Sequence, residues 1–392
     1  MSVALDLPAL SPEEAAHSAR LGERLREEIE RAGGWISFAR YMQLALYEPG
    51  LGYYSAGARK FGAAGDFITA PEVAPVFSRC LAVQCAEVLQ TLGGGDLLEF
   101  GAGSGAMATT LLEELERRDA LPRRYLILDV SADLRQRQQQ TLAAAVPRLL
   151  ERVEWLDRLP DGLEGVVVAN EVLDAQPVER FVWRDAAIHA LGVAWERGAP
   201  TWSEAPAPEP LARAVLSLAR ETGVAWPEGY TSEINLGLGN WIAAVSAVLD
   251  RGVMLFVDYG LPRRDYYTPE RSAGTLLCHF RHRFHDDPFA RPGLQDITAW
   301  VDFTAVAESA TAAGLDVAGY TTQAHFLIGA GIAEFVANVA DLDVVERVNL
   351  SRQAMLLTLP GEMGERFKAI ALARGYDAPL RGFAVRDLRH TL

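Results

Sequence analysis

The chain has 392 residues, of which 49% are hydrophobic and 23% are charged, and its net charge is −15. This acidic balance argues against general nucleic-acid binding, because neutralising phosphates takes many Lys and Arg side chains. The length and a mean hydropathy of +0.05 predict a large buried core with inserted or appended elements.

The amino-terminal segment predicts two helices. Ser11 and Glu14 fit a capping box, Gly33-Gly34 end the first helix, and a second helix covers about 37–47. The amino terminus lacks a basic segment followed by an apolar run, and no stretch of 18 apolar residues occurs. We therefore expect a cytoplasmic protein without membrane insertion.

A glycine- and aromatic-rich loop follows over 47–72. A long loop in a compact enzyme is usually functional, so we expect it to fold over a ligand as a lid. Its polar residues Asp66 and Thr69 are candidate ligand contacts. The alternative is an Ω-loop that packs on its own aromatic side chains.

A predicted helix over 75–92 leads into the most informative pattern, an apolar strand followed by alternating glycines. Gly101, Gly103 and Ala106 fit the dinucleotide fingerprint, whereas Glu99 with Gly101, Gly103 and Gly105 fits the E-x-G-x-G-x-G loop of S-adenosylmethionine (SAM) methyltransferases. Glu99 favours SAM, since a carboxylate suits a cationic amino-acid end and repels a pyrophosphate. A tight turn without a ligand is the third alternative.

A second carboxylate ends the next predicted strand, which covers about 124–129. Asp129 can accept hydrogen bonds from both hydroxyls of a ribose, and Ser131 can cap the following helix. The same residue type serves nicotinamide enzymes, so Asp129 indicates a nucleoside without choosing the cofactor. It could equally act only as a cap.

A third buried strand over 165–170 runs into a polar segment. Parallel sheets bind ligands at the carboxyl ends of their strands, so Asn170, Glu171 and Asp174 are expected to face the same crevice as the glycine loop. Two acids with an amide suit a cationic or amide nitrogen as the substrate. The alternative is a solvated loop with a turn-forming Asp and Pro.

The pattern then becomes less regular. Residues 178–204 predict a short antiparallel sheet in an insertion, with helices near 209–222 and 235–250. The run 252–260 predicts a further central strand, with Asp258 at its carboxyl end.

The segment that follows, 277–288, is predicted to be a long loop. Its residues His279, His282 and His285 suggest a metal site, but the intervening arginines would repel a cation, so no metal is expected. Strands are predicted at 315–320, 367–373 and 383–386, the last two as an antiparallel edge pair.

The elements together predict an α/β fold: a Rossmann-like class I SAM methyltransferase sheet with an amino-terminal helical and lid region and an inserted small α+β substrate lobe. The predicted division is 1–74 for the helices and lid, 75–177 for the first part of the core, 178–250 for the inserted lobe and 251–392 for the remainder.

The chain resembles the MidA-like protein-arginine methyltransferases, whose mitochondrial members assemble complex I and methylate an arginine of a core subunit. The resemblance covers roughly residues 30–335 and depends on the order and spacing of several motifs. These are Gly52-Tyr53-Tyr54, Gly65-Asp66-Phe67-Ile68-Thr69, Pro71-Glu72, the loop Glu99 to Gly105, Ala169-Asn170-Glu171 with Asp174 and Pro177, Asp258-Tyr259-Gly260, Gln295 to Ala299 and Val301-Asp302-Phe303.

The resemblance implies methyl transfer from SAM to an arginine exposed on a protein substrate. Arginine stays protonated, so carboxylates must orient its guanidinium: Glu171 as the clamp and Asp174 as its partner or the reverse, with Asn170 and Asp258 shaping the pocket. Two rival functions stay open, a nicotinamide-linked oxidoreductase and a non-catalytic SAM-binding assembly factor. A homodimer is compatible with the sequence.

Overall fold

The computed structural model describes residues 7–56, 70–337 and 343–392, and contacts divide the chain into two compact units. Unit 1 comprises Met1–Phe67, Leu173–Leu238 and Arg263–Trp300, and unit 2 comprises Ile68–Val172, Gly239–Pro262 and Val301–Leu392. The four ranges expected from the sequence stay a prediction.

The described helices and strands alternate over some stretches of the chain and follow one another in runs of one type over others. The helices are α1 Pro12–Arg31, α2 Phe38–Tyr47, α3 Ala70–Val73, α4 Pro75–Leu92, α5 Ala106–Arg117, α6 Ala132–Ala145, α7 Glu209–Thr222, α8 Leu238–Val248, α9 Arg263–Tyr266, α10 Phe303–Ala312, α11 Gln323–Gly329, α12 Ile332–Ala337, α13 Val344–Thr358 and α14 Met363–Arg366. The strands are β1 Trp35–Ile36, β2 Asp96–Phe100, β3 Tyr125–Leu128, β4 Val153–Leu156, β5 Leu163–Asn170, β6 Glu179–Arg184, β7 Ala187–Glu196, β8 Ala199–Pro206, β9 Thr231–Ile234, β10 Leu249–Leu261, β11 Leu277–Phe280, β12 Arg283–His285, β13 Asp296–Thr298, β14 Val301–Asp302, β15 Asp316–Thr322 and β16 Phe367–Arg374. Of the described helices, none is long and apolar enough to cross a bilayer.

Unit 2 is built on a mostly parallel sheet with the strand order β15-β16-β10-β5-β2-β3-β4. Its central strands are buried apolar runs, as expected when helices cover both faces of a parallel sheet. From β2 the sheet continues to β3 on one side and to β5 on the other, so the strand order reverses beside β2. Sheets of this class bind ligands at such a reversal, and the α/β Rossmann-like prediction is confirmed.

Two glycines bring the central strands of this sheet into close register. A Cβ atom on Gly165 of β5 would lie 2.0 Å from the Asp96 carbonyl oxygen, and one on Gly252 of β10 would lie 1.9 Å from the Gly165 carbonyl oxygen. Any side chain at these positions would push the strands apart. These close approaches lie near the amino ends of β2 and β5, and the strand pairing continues from there to the carboxyl ends.

Unit 1 contains two small sheets, one with the order β1-β7-β6-β9 and β8 paired to β7, and one with the order β12-β11-β13. The antiparallel sheet predicted over 178–204 is confirmed by β6, β7 and β8. The amino-terminal helices are also as predicted: Ser11 and Glu14 form the capping box of α1, and Ser37 caps α2.

The segment 277–288, predicted as a loop, instead contains the antiparallel strands β11 and β12, and β11 also pairs with β13. The prediction was wrong because the many charged residues hide an alternating burial pattern, in which Cys278 and Phe280 are buried. Arg281 and His282 adopt positive φ angles of 47° and 60°, which reverse the chain between the two strands.

The predicted strand at 383–386 is also wrong. Arg381–Phe383 form a short 3₁₀ helix, and the antiparallel partners of β16 are β15 and β10. The ring of Phe383 packs where Gly319 has no side chain, since a Cβ there would lie 2.4 Å from the ring. The apolar side chain of Phe383 therefore packs against β15, and the residue is not part of a strand.

Candidate active site

The turn between β2 and α5 has the backbone that the glycine pattern predicts. Gly101, Gly103 and Gly105 adopt positive φ angles of 62°, 54° and 88°, a region that residues with a Cβ rarely occupy. Gly105 precedes α5 and has no side chain to cap it. The amide of Ala106, the first residue of α5, donates to Ser104 Oγ at 3.3 Å, and the amino terminus of α5 lies at the turn, which suits a polar ligand.

Strand register places three polar segments side by side. Phe100 of β2 pairs with Ala169 of β5, and Asn170 pairs with Val257 of β10. The residues that follow these positions are Gly101, Glu171 and Asp258. The structure thus brings the glycine loop and three predicted catalytic residues, Asn170, Glu171 and Asp258, to one edge of the unit 2 sheet.

Glu99 is a completely buried carboxyl group within β2. The Tyr125 hydroxyl donates to its Oε2, whereas Oε1 has no hydrogen-bond partner among the described residues. Burial raises the pKa of Glu99 to about 8, and the hydrogen bond from Tyr125 opposes this shift. An adjacent cation would stabilise the ionised form of this buried carboxyl group and so lower its pKa.

Asp129 follows β3 and is held from two sides. Its Oδ1 accepts from the Ser131 amide at 2.9 Å, and its Oδ2 accepts from Gln138 Nε2 at 2.8 Å. Ser131 caps α6 through a bond from the Leu134 amide, as expected. The structure therefore gives Asp129 a local turn contact and leaves its predicted ribose role a prediction.

Gln138 is a site residue that the sequence did not reveal. It is fully buried on α6 and also donates to the Gly103 carbonyl oxygen at 3.1 Å. No sequence signal distinguishes it, because α6 contains several glutamines and most of them are exposed.

The short helix α3 contacts the same turn. Ser104 donates a hydrogen bond to the Glu72 carboxylate, and the Ala70 amide lies 3.4 Å from Glu171 Oε1. Pro71-Glu72 belongs to the segment predicted as a lid, and its described end therefore contacts the loop. Asp66 and Thr69, the predicted lid contacts, lie outside the described residues.

Glu171 has an unusual backbone for a residue with a side chain. Its φ is +53°, and its amide donates to the Val257 carbonyl oxygen at 2.9 Å. Asn170 Nδ2 donates to Glu171 Oε1 at 3.0 Å. Such left-handed residues cost free energy and cluster at functional sites, where surrounding contacts maintain them.

Asp258 maintains this turn. It is buried, its Oδ2 accepts from the Val172 amide at 3.2 Å, and its Oδ1 accepts from the Tyr259 amide at 2.9 Å. The carboxylate binds the backbone immediately after Glu171, so these contacts support a positioning role for Asp258 within the predicted pocket.

Asp174 belongs to unit 1, whereas Glu171 belongs to unit 2. Asp174 is buried, and its carbonyl oxygen accepts from the Ala299 amide at 3.0 Å. Its predicted partnership with Glu171 stays a prediction.

The histidines of the 277–288 segment lie in unit 1. Burial lowers the pKa of His279 to about 4, so this imidazole is neutral. Among residues 7–56, 70–337 and 343–392, no group of His, Cys, Asp and Glu could hold a metal ion.

Comparison with known families identifies the chemistry of this site. A sequence model for S-adenosyl-L-methionine-dependent methyltransferases matches residues 80–321. The chain belongs to this family. The match spans the glycine turn, the Asn170-Glu171 segment and Asp258, and it makes the nicotinamide alternative wrong.

Solved structures agree with this assignment. A Burkholderia thailandensis protein crystallised with bound S-adenosyl-homocysteine has a TM-score of 0.95 at 44% identity, covering 99% of this methyltransferase and 100% of that chain. A native structure from the same organism has a TM-score of 0.91 at the same identity and coverage. The cofactor of the family, SAM, fits the glycine turn and the unsatisfied oxygen of Glu99.

More distant relatives are named for a substrate. The chain is 28% identical to the Drosophila melanogaster protein arginine methyltransferase NDUFAF7 homolog, over 94% of this chain and 87% of that protein. The Danio rerio protein arginine methyltransferase NDUFAF7 is 27% identical, over 86% and 83% of the two chains. Both relatives are named as mitochondrial proteins.

Proposed function

We propose that this methyltransferase methylates an arginine side chain of a protein substrate. The observation that carries the proposal is the strained backbone of Glu171, which Asn170 and Asp258 maintain at the edge of the sheet beside the glycine turn. A carboxylate there suits a guanidinium, because both groups are planar and their hydrogen bonds are charge-assisted. The names of the NDUFAF7 relatives support the same substrate class.

In this proposal, bound SAM supplies an electrophilic methyl group on a sulfonium. Glu99 neutralises the cationic amino group of the cofactor, Gly101, Gly103 and Gly105 allow its close approach, and Asp129 accepts from the ribose. These assignments follow from the turn geometry and from the unsatisfied Oε1 of Glu99.

The protein side of the reaction is orientation of the guanidinium. Arginine remains protonated in proteins, so the enzyme needs a carboxylate that accepts a hydrogen bond from the guanidinium. This hydrogen bond helps to localise a lone pair on the nitrogen that receives the methyl group. Glu171 has this role in our proposal, with Asp174 as its partner and Asn170 and Asp258 as positioning residues. Holding the reacting atoms about 3–3.5 Å apart can lower the barrier by roughly 7–11 kcal/mol.

We further propose a subunit of a complex I-type respiratory enzyme as the substrate and the cytoplasm as the location. The first is supported by the resemblance of the motifs to MidA-like enzymes, and the second by the three buried cysteines, which are all free thiols.

Quantitative mass spectrometry tests the proposal in cells with and without the enzyme. We expect one or a few methylarginine sites to disappear in its absence, to return with the wild-type chain, and not to return with Glu171→Gln. An unchanged methylarginine profile, or the loss of methylation on another residue type, would contradict arginine as the substrate.

A further inference from the structure

Gln138 makes three side-chain hydrogen bonds at the cofactor turn. Its Nε2 donates to Asp129 Oδ2 at 2.8 Å and to the Gly103 carbonyl oxygen at 3.1 Å, and its Oε1 accepts from Trp155 Nε1 at 3.0 Å. A primary amide has two N–H donors. Both are used here, and the side chain is fully buried.

Trp155 determines which way the amide faces. The indole N–H can only donate, so the group opposite it must be the amide oxygen. The NH₂ group then necessarily faces Asp129 and Gly103. The Trp155 contact therefore selects the one amide orientation that can hold the carboxylate.

Helix α6 packs closely against the turn at this point. A Cβ on Gly105 would lie 3.2 Å from Gln138 Cα. Gln138 thus joins three elements of the site: the glycine turn, the carboxylate after β3 and, through Trp155, strand β4.

We propose that Gln138 is a positioning residue for cofactor binding, which fixes the Asp129 carboxylate relative to the glycine turn; this inference rests on the ribose-binding role proposed above for Asp129. Without the amide, Asp129 keeps its Ser131 contact but loses the hydrogen bond through which Gln138 connects it to the Gly103 carbonyl oxygen. The carboxylate must then be ordered when the ligand binds, and affinity falls by the cost of that ordering.

A double-mutant cycle tests whether Gln138 acts through Asp129. The probe is S-adenosyl-homocysteine, and its dissociation constant is measured by calorimetry for Gln138→Met, Asp129→Ala and the double variant. Each single change is expected to weaken binding about tenfold, the scale of a lost hydrogen bond to a charged group. The double variant is expected to lie within about threefold of Asp129→Ala alone, because contacts that act as one unit are not additive.

Losses that multiply in the double variant would overturn the proposal. Gln140→Met is the matched control, since Gln140 is exposed on the same helix and should leave affinity unchanged. Thermal unfolding of every variant separates weak binding from a failure to fold.

A second variant, which keeps the size of the side chain, separates the loss of hydrogen bonds from a change in packing. Gln138→Glu preserves the shape and the oxygen that accepts from Trp155, but it directs a second acceptor at Asp129 and the Gly103 carbonyl. We expect the ratio of its S-adenosyl-homocysteine affinity to that of wild type to rise as the pH is lowered, because a protonated carboxyl can donate to Asp129 again. A purely structural role would give a ratio that does not change with pH, and this result would overturn the proposal.

Discussion

At the scale of single residues, the site contains a carboxyl group whose burial opposes folding. Glu99 is completely buried with an unsatisfied oxygen, and burial raises its pKa from 4.5 to about 8. Between these values the folded state binds more protons than the unfolded state. The free energy of unfolding that Glu99 contributes therefore decreases as the pH rises through this range.

Glu99→Gln is expected to change stability and binding in opposite directions. The unfolding free energy of the ligand-free variant minus that of wild type should increase by up to about 1.4 kcal/mol per pH unit between roughly pH 5 and pH 8. The reason is that the buried carboxyl of wild type ionises over this range and the amide does not. S-adenosyl-homocysteine affinity should fall, because the carboxylate that balances the cationic amine is absent.

Chemical denaturation and calorimetry at several pH values measure the two effects. Wild-type affinity in the variant would show that Glu99 does not contact the cofactor. A stability difference that does not vary with pH would show that the carboxyl titrates normally.

Glu171→Gln is expected to lower methyl-transfer turnover by at least about tenfold, with little change in S-adenosyl-homocysteine affinity. The change removes the charge that orients the guanidinium and preserves the side-chain size. Single-turnover kinetics at saturating SAM isolate the transfer step.

Glu164→Gln, at the other end of β5, is the matched control for this prediction. Asp174→Asn tests the second carboxylate. Wild-type transfer rates in both Glu171→Gln and Asp174→Asn would place the substrate pocket elsewhere.

At the scale of elements, the turn between β2 and α5 depends on backbone that only glycine adopts easily. Gly101 has a φ of +62°, and a Cβ there would lie 3.3 Å from Val172 Cγ2. Val172 follows Glu171, so a side chain at position 101 would disturb both the cofactor turn and the Glu171 turn.

Gly101→Val should therefore abolish measurable S-adenosyl-homocysteine binding while the chain remains folded. The matched control is Gly93→Val, where φ is +78° but nothing lies within 4 Å of a Cβ. Both variants should lose stability because a β-branched residue is strained at positive φ, but only Gly101→Val should lose binding. Circular dichroism measures the folding of the two variants, and calorimetry measures their S-adenosyl-homocysteine affinity. Equal affinity in the two variants would contradict the assignment of this turn to the cofactor.

At the scale of the whole molecule, 52 acidic residues against 37 basic ones produce a net charge of −15. A negative protein attracts a basic partner over long distances, and salt screens this attraction with a Debye length of about 10 Å at 0.1 M. The charge therefore favours a basic partner over an acidic one.

We expect kcat/KM for a basic protein substrate to fall several-fold as ionic strength rises from about 0.01 M to about 0.3 M, while kcat at saturation changes little. Steady-state kinetics over a salt series measure both quantities. If kcat/KM were independent of salt, long-range charge would have no part in substrate capture.

Much of the fold follows from local patterns in the sequence. The capping box of α1, the buried strands β2, β3 and β5, and the glycine turn all lie where their residues predict them. Each depends on neighbours within a few positions: a cap, an apolar run, or glycines that permit positive φ. The cofactor class also follows, because Glu99 and the glycines are close together in the chain.

Other features depend on residues that are distant in the chain, and the tertiary structure alone decides them. The partners of β16 are β15 and β10, whereas Phe383 packs against Gly319 and forms no strand. The charged residues of 277–288 hide the strand pair that forms there. Gln138 acquires its role from contacts with Gly103, Asp129 and Trp155, which come from three different elements. Such contacts form only when the sheet assembles, so no periodicity or motif in the sequence records them.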